Sequence, residues 1–285
     1  MKKAVLFLLG VLVLLGGLFF ASAYLEPKNY SLVLLNPISP KAAVKSAVAP
    51  VQIPTLTPTP YVLPSAVPTK RLKKQTYTIA LYGDSMVDTM GEKLEFLAEA
   101  LESKYPKTTF QLYNYGIGGE NIKQGLDRFP QSFANKTRQY PPIAEIHPDV
   151  LILGSFAYNP FDPHDVNRYW LTLTELVEQA KAVSPRVYLL AEIAPLGYGF
   201  GKGKNGINWP QEQAYTHALR IIEQLNSAVD FTKAFNLPLI DAYHPSQQNG
   251  QFGAAYLVNA GDGIHPSNEG HLFIADKIVE TILLE

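Results

Sequence analysis

The ten residues YTIALYGDSM, Tyr77 to Met86, decide how the rest of the chain is read. Tyr77 to Tyr82 is an unbroken run of aromatic, β-branched and aliphatic residues, the composition of a strand buried on both faces. Gly83 and Asp84 end the run, and Leu94, Leu97, Ala98 and Leu101 then recur at spacings of three and four, one face of a helix. Strand, turn and helix in that order, with no polar alternation in the strand, point to a parallel sheet whose two faces are both covered.

The same alternation continues downstream. Strand-like runs lie at Phe110–Tyr113, Val150–Leu153, Val187–Ala191 and Leu237–Ile240, and helical patterns at Asp165–Ala182, Gln211–Ala234 and Asn268–Leu284. The class is therefore α/β, with helices on both sides of a mostly parallel sheet. In such folds ligands sit beyond the carboxyl ends of the strands. The segments to search are then GDSM, NYGIGGEN, GSFAYNP, AEIAPLGYGFGKGKNG and DAYHPS, together with GDGIHPS before the last helix.

Before Tyr77 the chain has a different character. Met1, Lys2 and Lys3 precede the uncharged run AVLFLLGVLVLLGGLFF, and residues 1–24 read as a membrane anchor or a signal peptide. The lysines favour a cytoplasmic N-terminus and an extracytoplasmic remainder. Ala21, Ser22 and Ala23 offer a cleavage pattern, so secretion and anchoring both stay open. Residues 25–75 are rich in proline and read as an extended linker, leaving 76–285 as one globular domain.

Over all 285 residues the hydrophobic fraction is 47%, enough for a sizeable core, and the formal net charge is -1. Such a balance gives no electrostatic footprint for nucleic acid, and the oligomeric state is not legible. The absence of cysteine excludes disulfides, thiolate metal sites and a cysteine nucleophile. No HExxH pattern and no glycine-rich phosphate loop with a following lysine is present, so neither a metal nor a cofactor is expected.

Nucleophilic acyl chemistry needs a hydroxyl, a base, a group that orients the base, and donors for the oxyanion. Ser85, at the strand-to-helix turn, can supply the hydroxyl and one backbone N–H. Asp262 and His265, three residues apart in a tight turn, can form the orienting pair, and the side-chain-free loop at Gly118 and Gly119 can supply a second N–H. Each residue taken alone has a plainer reading: Ser85 as a helix cap, Asp262 as a turn former, His265 as a surface histidine. The GxSxG elbow of the α/β-hydrolases is absent.

In the order of these blocks the chain resembles the SGNH hydrolases, the GDSL esterase and lipase family. LYGDSM puts Ser85 in the nucleophile position, NYGIGGEN puts Gly119 in that of the oxyanion glycine, and DGIHPS puts Asp262 and His265 in those of the acid and the base. The resemblance runs from about Tyr77 to the C-terminus. It implies a flavodoxin-like three-layer α/β/α fold and a serine esterase that needs no metal or cofactor. One block departs from the family pattern. Where an asparagine is expected two residues after Gly154, the strand end reads GSFAYNP and Phe156 stands there. Either the loop is longer and Asn159 reaches the oxyanion, or the side-chain donor is missing.

The implied substrate is an ester. For an outward-facing enzyme, O-acetyl groups on cell-envelope polysaccharide come first and lipid or small esters second; acyl transfer and a catalytically silent glycan-binding domain are the alternatives. The segment Pro195–Pro210, with Tyr198, Phe200 and Trp209, reads either as a flexible loop able to stack on sugar or cover an acyl chain, or equally as a surface loop with partly buried aromatics. Asp84 and Asn114 read as loop supports, and Asn135-Lys136-Thr137 matches a glycosylation acceptor. His147, His164, His217 and His271 read as solvated or capping, while His244, in DAYHPS, is a substitute base to be tested.

Overall fold

A computed structural model describes residues 72–248 and 250–284. The apolar run 1–24, and the linker apart from 72–75, lie outside the described residues. Among the described residues no helix is long and apolar enough to cross a membrane.

In chain order the elements are β1 (Thr76–Gly83), α1 (Ser85–Asp88), α2 (Glu95–Lys104), β2 (Thr109–Gly116), α3 (Ile122–Arg128), β3 (Phe133–Asn135), β4 (Arg138–Tyr140), α4 (Ile143–Ile146), β5 (Val150–Gly154), α5 (Val166–Val183), β6 (Val187–Ala191), α6 (Gln211–Ala234), β7 (Leu239–Asp241) and α7 (Asn268–Thr281). Five strands form one sheet in the order β2-β1-β5-β6-β7, and every neighbouring pair is parallel. Counting only these strands, the order is 2-1-3-4-5, the flavodoxin-like arrangement. The short strands β3 and β4 form a separate antiparallel hairpin.

The period of two along each strand divides the core. Ile79, Leu81, Ile152 and Leu190 face one layer with Leu97 of α2 and Ile274 and Ile278 of α7. Ala80, Tyr82, Leu151 and Leu189 face the other with Leu126 of α3 and Leu173 of α5. Each fully buried aliphatic side chain contributes roughly 1.5–3 kcal/mol, so the two layers together fix the central strands. The strand order reverses between β1 and β5, which opens a crevice at their carboxyl ends. Ser85 follows β1 there, and Ser155 follows β5.

Candidate active site

The turn after β1 is built by Asp84 and not by the serine. Asp84 is the N-cap of α1, its Oδ1 accepting from the backbone N–H of Met86 at 2.9 Å, and it is almost wholly buried. The capping role weighed for Ser85 is therefore taken, and the Ser85 hydroxyl makes no hydrogen bond among the described residues. The end of β2 lies hard against the same turn: a Cβ on Gly116 would come within 2.2 Å of the Asp88 amide nitrogen, so only glycine fits. Three residues on, Gly119 takes a φ of 78°, which a side chain would strain. Its backbone N–H meets no acceptor among the described residues, and that of Ser85, first in α1, has no helical partner.

The turn before α7 carries the aspartate and histidine as a locked pair. Asp262 Oδ1 accepts from the backbone N–H groups of Ile264 at 2.8 Å and His265 at 3.0 Å, while Oδ2 lies 3.0 Å from His265 Nδ1. A carboxylate only accepts, so Nδ1 carries a proton, and in the neutral ring the lone pair is then on Nε2. Burial works to raise the Asp262 carboxyl, but the bonds from the His265 ring and from the two amides outweigh it and hold the group below the ordinary carboxylate range. The segment 195–210 fastens this turn from outside: Gly201 N–H donates to the Gly263 carbonyl at 3.0 Å and Asn205 N–H to that of Gly261 at 2.7 Å.

After β5 the chain departs from simple turn geometry. Phe156 has a φ of 57°, and its ring is buried against Tyr82 at 5.9 Å between centroids. The loop then runs on to Asn159, whose Nδ2 donates to Asp84 Oδ2 at 2.8 Å. Glu192, at the end of β6, holds the base of this loop. Its Oε1 accepts from Ser155 N–H at 2.8 Å and its Oε2 bonds Ser155 Oγ, which in turn accepts from Ala157 N–H at 3.1 Å. Burial, and then the neighbouring Asp84 charge, raise the Glu192 carboxyl to about 8; burial raises Asp84 to about 6 against its hydrogen bonds and the pull of His265. Glu192 is therefore mostly protonated at neutral pH, which relieves a buried pair of like charges.

These loops converge on one cavity of about 570 Å³, lined by Ser85, Gly118, Gly119, Asn159, Asp262 and His265 among others. Every residue assigned to the site from sequence thus lines a single space. Ser85 Oγ and His265 Nε2 share no hydrogen bond across it, as is common before substrate binds.

Against known proteins, the chain matches GDSL-like lipase/acylhydrolase over residues 79–278. The chain belongs to this family. It is accordingly a hydrolase acting on ester bonds. A lipase/acylhydrolase from Enterococcus faecalis superposes with a TM-score of 0.50 at 21% identity, covering 72% of this chain and 94% of that one. A GDSL-like lipase from Bacteroides thetaiotaomicron gives 0.52 at 15% identity over 72% and 86%. An acetyl xylan esterase from Geobacillus stearothermophilus, in a variant form, gives 0.53 at 16% over 73% and 95%. At these identities the likeness bears on fold. No protein of curated function matches the chain.

Several features of this GDSL-family chain were not foreseen. The Asn135 amide, in the run that matches a glycosylation acceptor, donates to Gly116 O at 2.9 Å and Asp88 Oδ1 at 3.2 Å. Asp88, one turn beyond Ser85, also bonds Lys136 at 2.9 Å and pairs with Arg138. The segment 195–210 follows the second of its two readings, with aromatics partly buried: Phe200 is in the core, and Tyr198 stacks on Tyr215 at 4.2 Å. His244 repeats the Asp–His geometry with Asp241, at 2.8 Å, but does not line the Ser85 cavity. His217 does line it, and so does Trp209. The helical spacing Gln213, Thr216, His217, Arg220 on α6 was the signal available for that face.

Proposed function

We propose that Ser85, His265 and Asp262 form the catalytic triad of this esterase. Ser85 Oγ attacks the acyl carbonyl carbon while His265 Nε2 takes its proton, and Asp262 stabilises the imidazolium through Nδ1–H. The oxyanion receives the N–H groups of Ser85 and Gly119 and the second Nδ2 hydrogen of Asn159, the first being held by Asp84. Collapse breaks the bond to the alcohol, which leaves with the proton from His265. Water, deprotonated by the same nitrogen, attacks the acyl carbon, and the proton passes from His265 to Ser85 Oγ as the bond to the serine breaks and the acid leaves.

The observation that carries this reading is the Asp262–His265 pair, 3.0 Å apart, on the same cavity as Ser85, Gly119 and Asn159. The preferred substrate is an O-acetyl ester on a glycan outside the cytoplasm, the N-terminal segment serving as anchor or export signal. One structural neighbour is an acetyl xylan esterase, and the cavity shares Trp209 and His217 with a cleft lined by polar residues of α6. Turnover of p-nitrophenyl acetate by the full-length protein tests the triad. Ser85→Ala and His265→Ala each lower kcat by at least about a thousandfold; undiminished turnover in both refutes it.

A further inference from the structure

We infer that a polar cleft beside the catalytic cavity, between residues 160–162 and the first turns of α6, is a subsite for neutral sugar residues flanking the esterified one. The subsite rests on the esterase reading above and extends it to the part of the substrate that does not react.

The cleft has a volume of about 530 Å³ and shares two walls, Trp209 and His217, with the cavity that holds Ser85. The two spaces also meet along the chain, since Asn159 lines one and Pro160 the other. A chain molecule with an ester at Ser85 would thus continue past Trp209. On α6 the cleft-lining residues Gln213, Thr216, His217 and Arg220 fall at spacings of three and four, one helix face.

The chemistry of the lining selects the ligand. Asp162, Glu212, Gln213, Thr216 and Arg220 all line the cleft, and none of these side chains makes a hydrogen bond or an ion pair among the described residues. The set combines two acceptor-only carboxylates, one donor-only guanidinium, and an amide and a hydroxyl that do both. Sugar hydroxyls, each a donor and an acceptor, satisfy such a mixture, and Trp209 adds an apolar wall. An acyl chain would offer these groups neither a donor nor an acceptor. An acidic sugar would set its own charge against two carboxylates and a single guanidinium. His217 does not redress that balance, because burial holds its pKa below the ordinary histidine value and leaves it neutral.

The test uses the full-length Ser85→Ala protein, so that binding is read without turnover. Calorimetric titration with xylotetraose, cellotetraose and chitotetraose is compared with tetragalacturonate and octanoate. At least one neutral tetrasaccharide binds, more tightly than its disaccharide, and adding Arg220→Ala or Glu212→Ala weakens it by about tenfold, the loss of one good polar contact. The dependence on chain length needs no further substitution, so a poorly folded variant does not obscure it. Failure of all three neutral sugars, equal affinity in both cleft variants, or tighter binding of tetragalacturonate or octanoate overturns the subsite. Ester hydrolysis that persists while sugar binding is absent defeats the subsite alone; hydrolysis independent of Ser85 defeats the esterase reading.

Discussion

The side-chain amide of Asn159 donates to Asp84 Oδ2 at 2.8 Å, joining the loop after β5 to the residue that precedes the nucleophile. In the position where the family carries its oxyanion asparagine, Phe156 instead packs into the core. Three residues further on, Asn159 lines the cavity with one amide hydrogen held by Asp84, and in the proposed mechanism the other meets the oxyanion.

From this comes a kinetic expectation. Asn159→Ala lowers kcat on p-nitrophenyl acetate by roughly a hundred to a thousandfold, the cost of one oxyanion donor, with little change in KM. Steady-state kinetics check it. A KM effect with kcat intact would assign Asn159 to ground-state binding.

Glu192 braces Ser155 at the root of the same loop while buried beside Asp84, and the proton it carries can be tested. Glu192→Gln mimics the protonated form and keeps most of the activity, whereas Glu192→Leu strands the Ser155 N–H and loses it. The folded carboxyl titrates at about 8 against an ordinary 4.5, so the native state binds the extra proton. Stability from this group is full below pH 4.5 and is lost as pH rises toward 8. Thermal melts therefore show the Glu192→Gln protein gaining on the parent across that window and levelling off above it. A constant difference in Tm contradicts the assignment.

Asp262 behaves in the opposite sense. Its lowered pKa stabilises the fold above the ordinary value of 3.8, and that contribution disappears as pH falls through the folded value. Asp262→Asn loses the orientation of His265, and kcat drops by about three to four orders of magnitude. The melting advantage of the parent over this variant shrinks in acid.

His244 offers a control for the geometry. It makes the same pairing with an aspartate three residues earlier, yet lies off the Ser85 cavity. His244→Ala retains kcat/KM within about twofold, as expected of a surface substitution away from the site, while His265→Ala does not. A comparable loss in both variants would make His244 part of the reaction.

Much of this architecture was readable from residue pattern because the central strands are buried on both faces. Val150–Leu153 and Val187–Ala191 contain no polar residue, and the strands differ from those segments by at most one residue. The run at Phe110–Tyr113 was read too short. Asn114, Tyr115 and Gly116 keep the ladder with Leu81, Tyr82 and Gly83, and the amide of Asn114 is satisfied by Val87 and Gly91. Leu94, assigned to the helix, is its left-handed N-cap, and α2 begins at Glu95. The hairpin β3–β4 has three residues per strand, too few for a period to register. Ser85, Gly119, Asp262 and His265 were singled out together because the order of their blocks resembles that of the SGNH hydrolases, and all four line one cavity. Glu192 was not, since its partner Ser155 lies 37 residues away and only the fold brings them together.

The most direct test of the central claim is mass spectrometry of the protein after brief exposure to a fluorophosphonate. A single adduct forms on the peptide carrying Ser85, slows by orders of magnitude in His265→Ala, and is absent in Ser85→Ala. Labelling that spares Ser85 while the protein still hydrolyses ester, or labelling unaffected by His265→Ala, contradicts the triad.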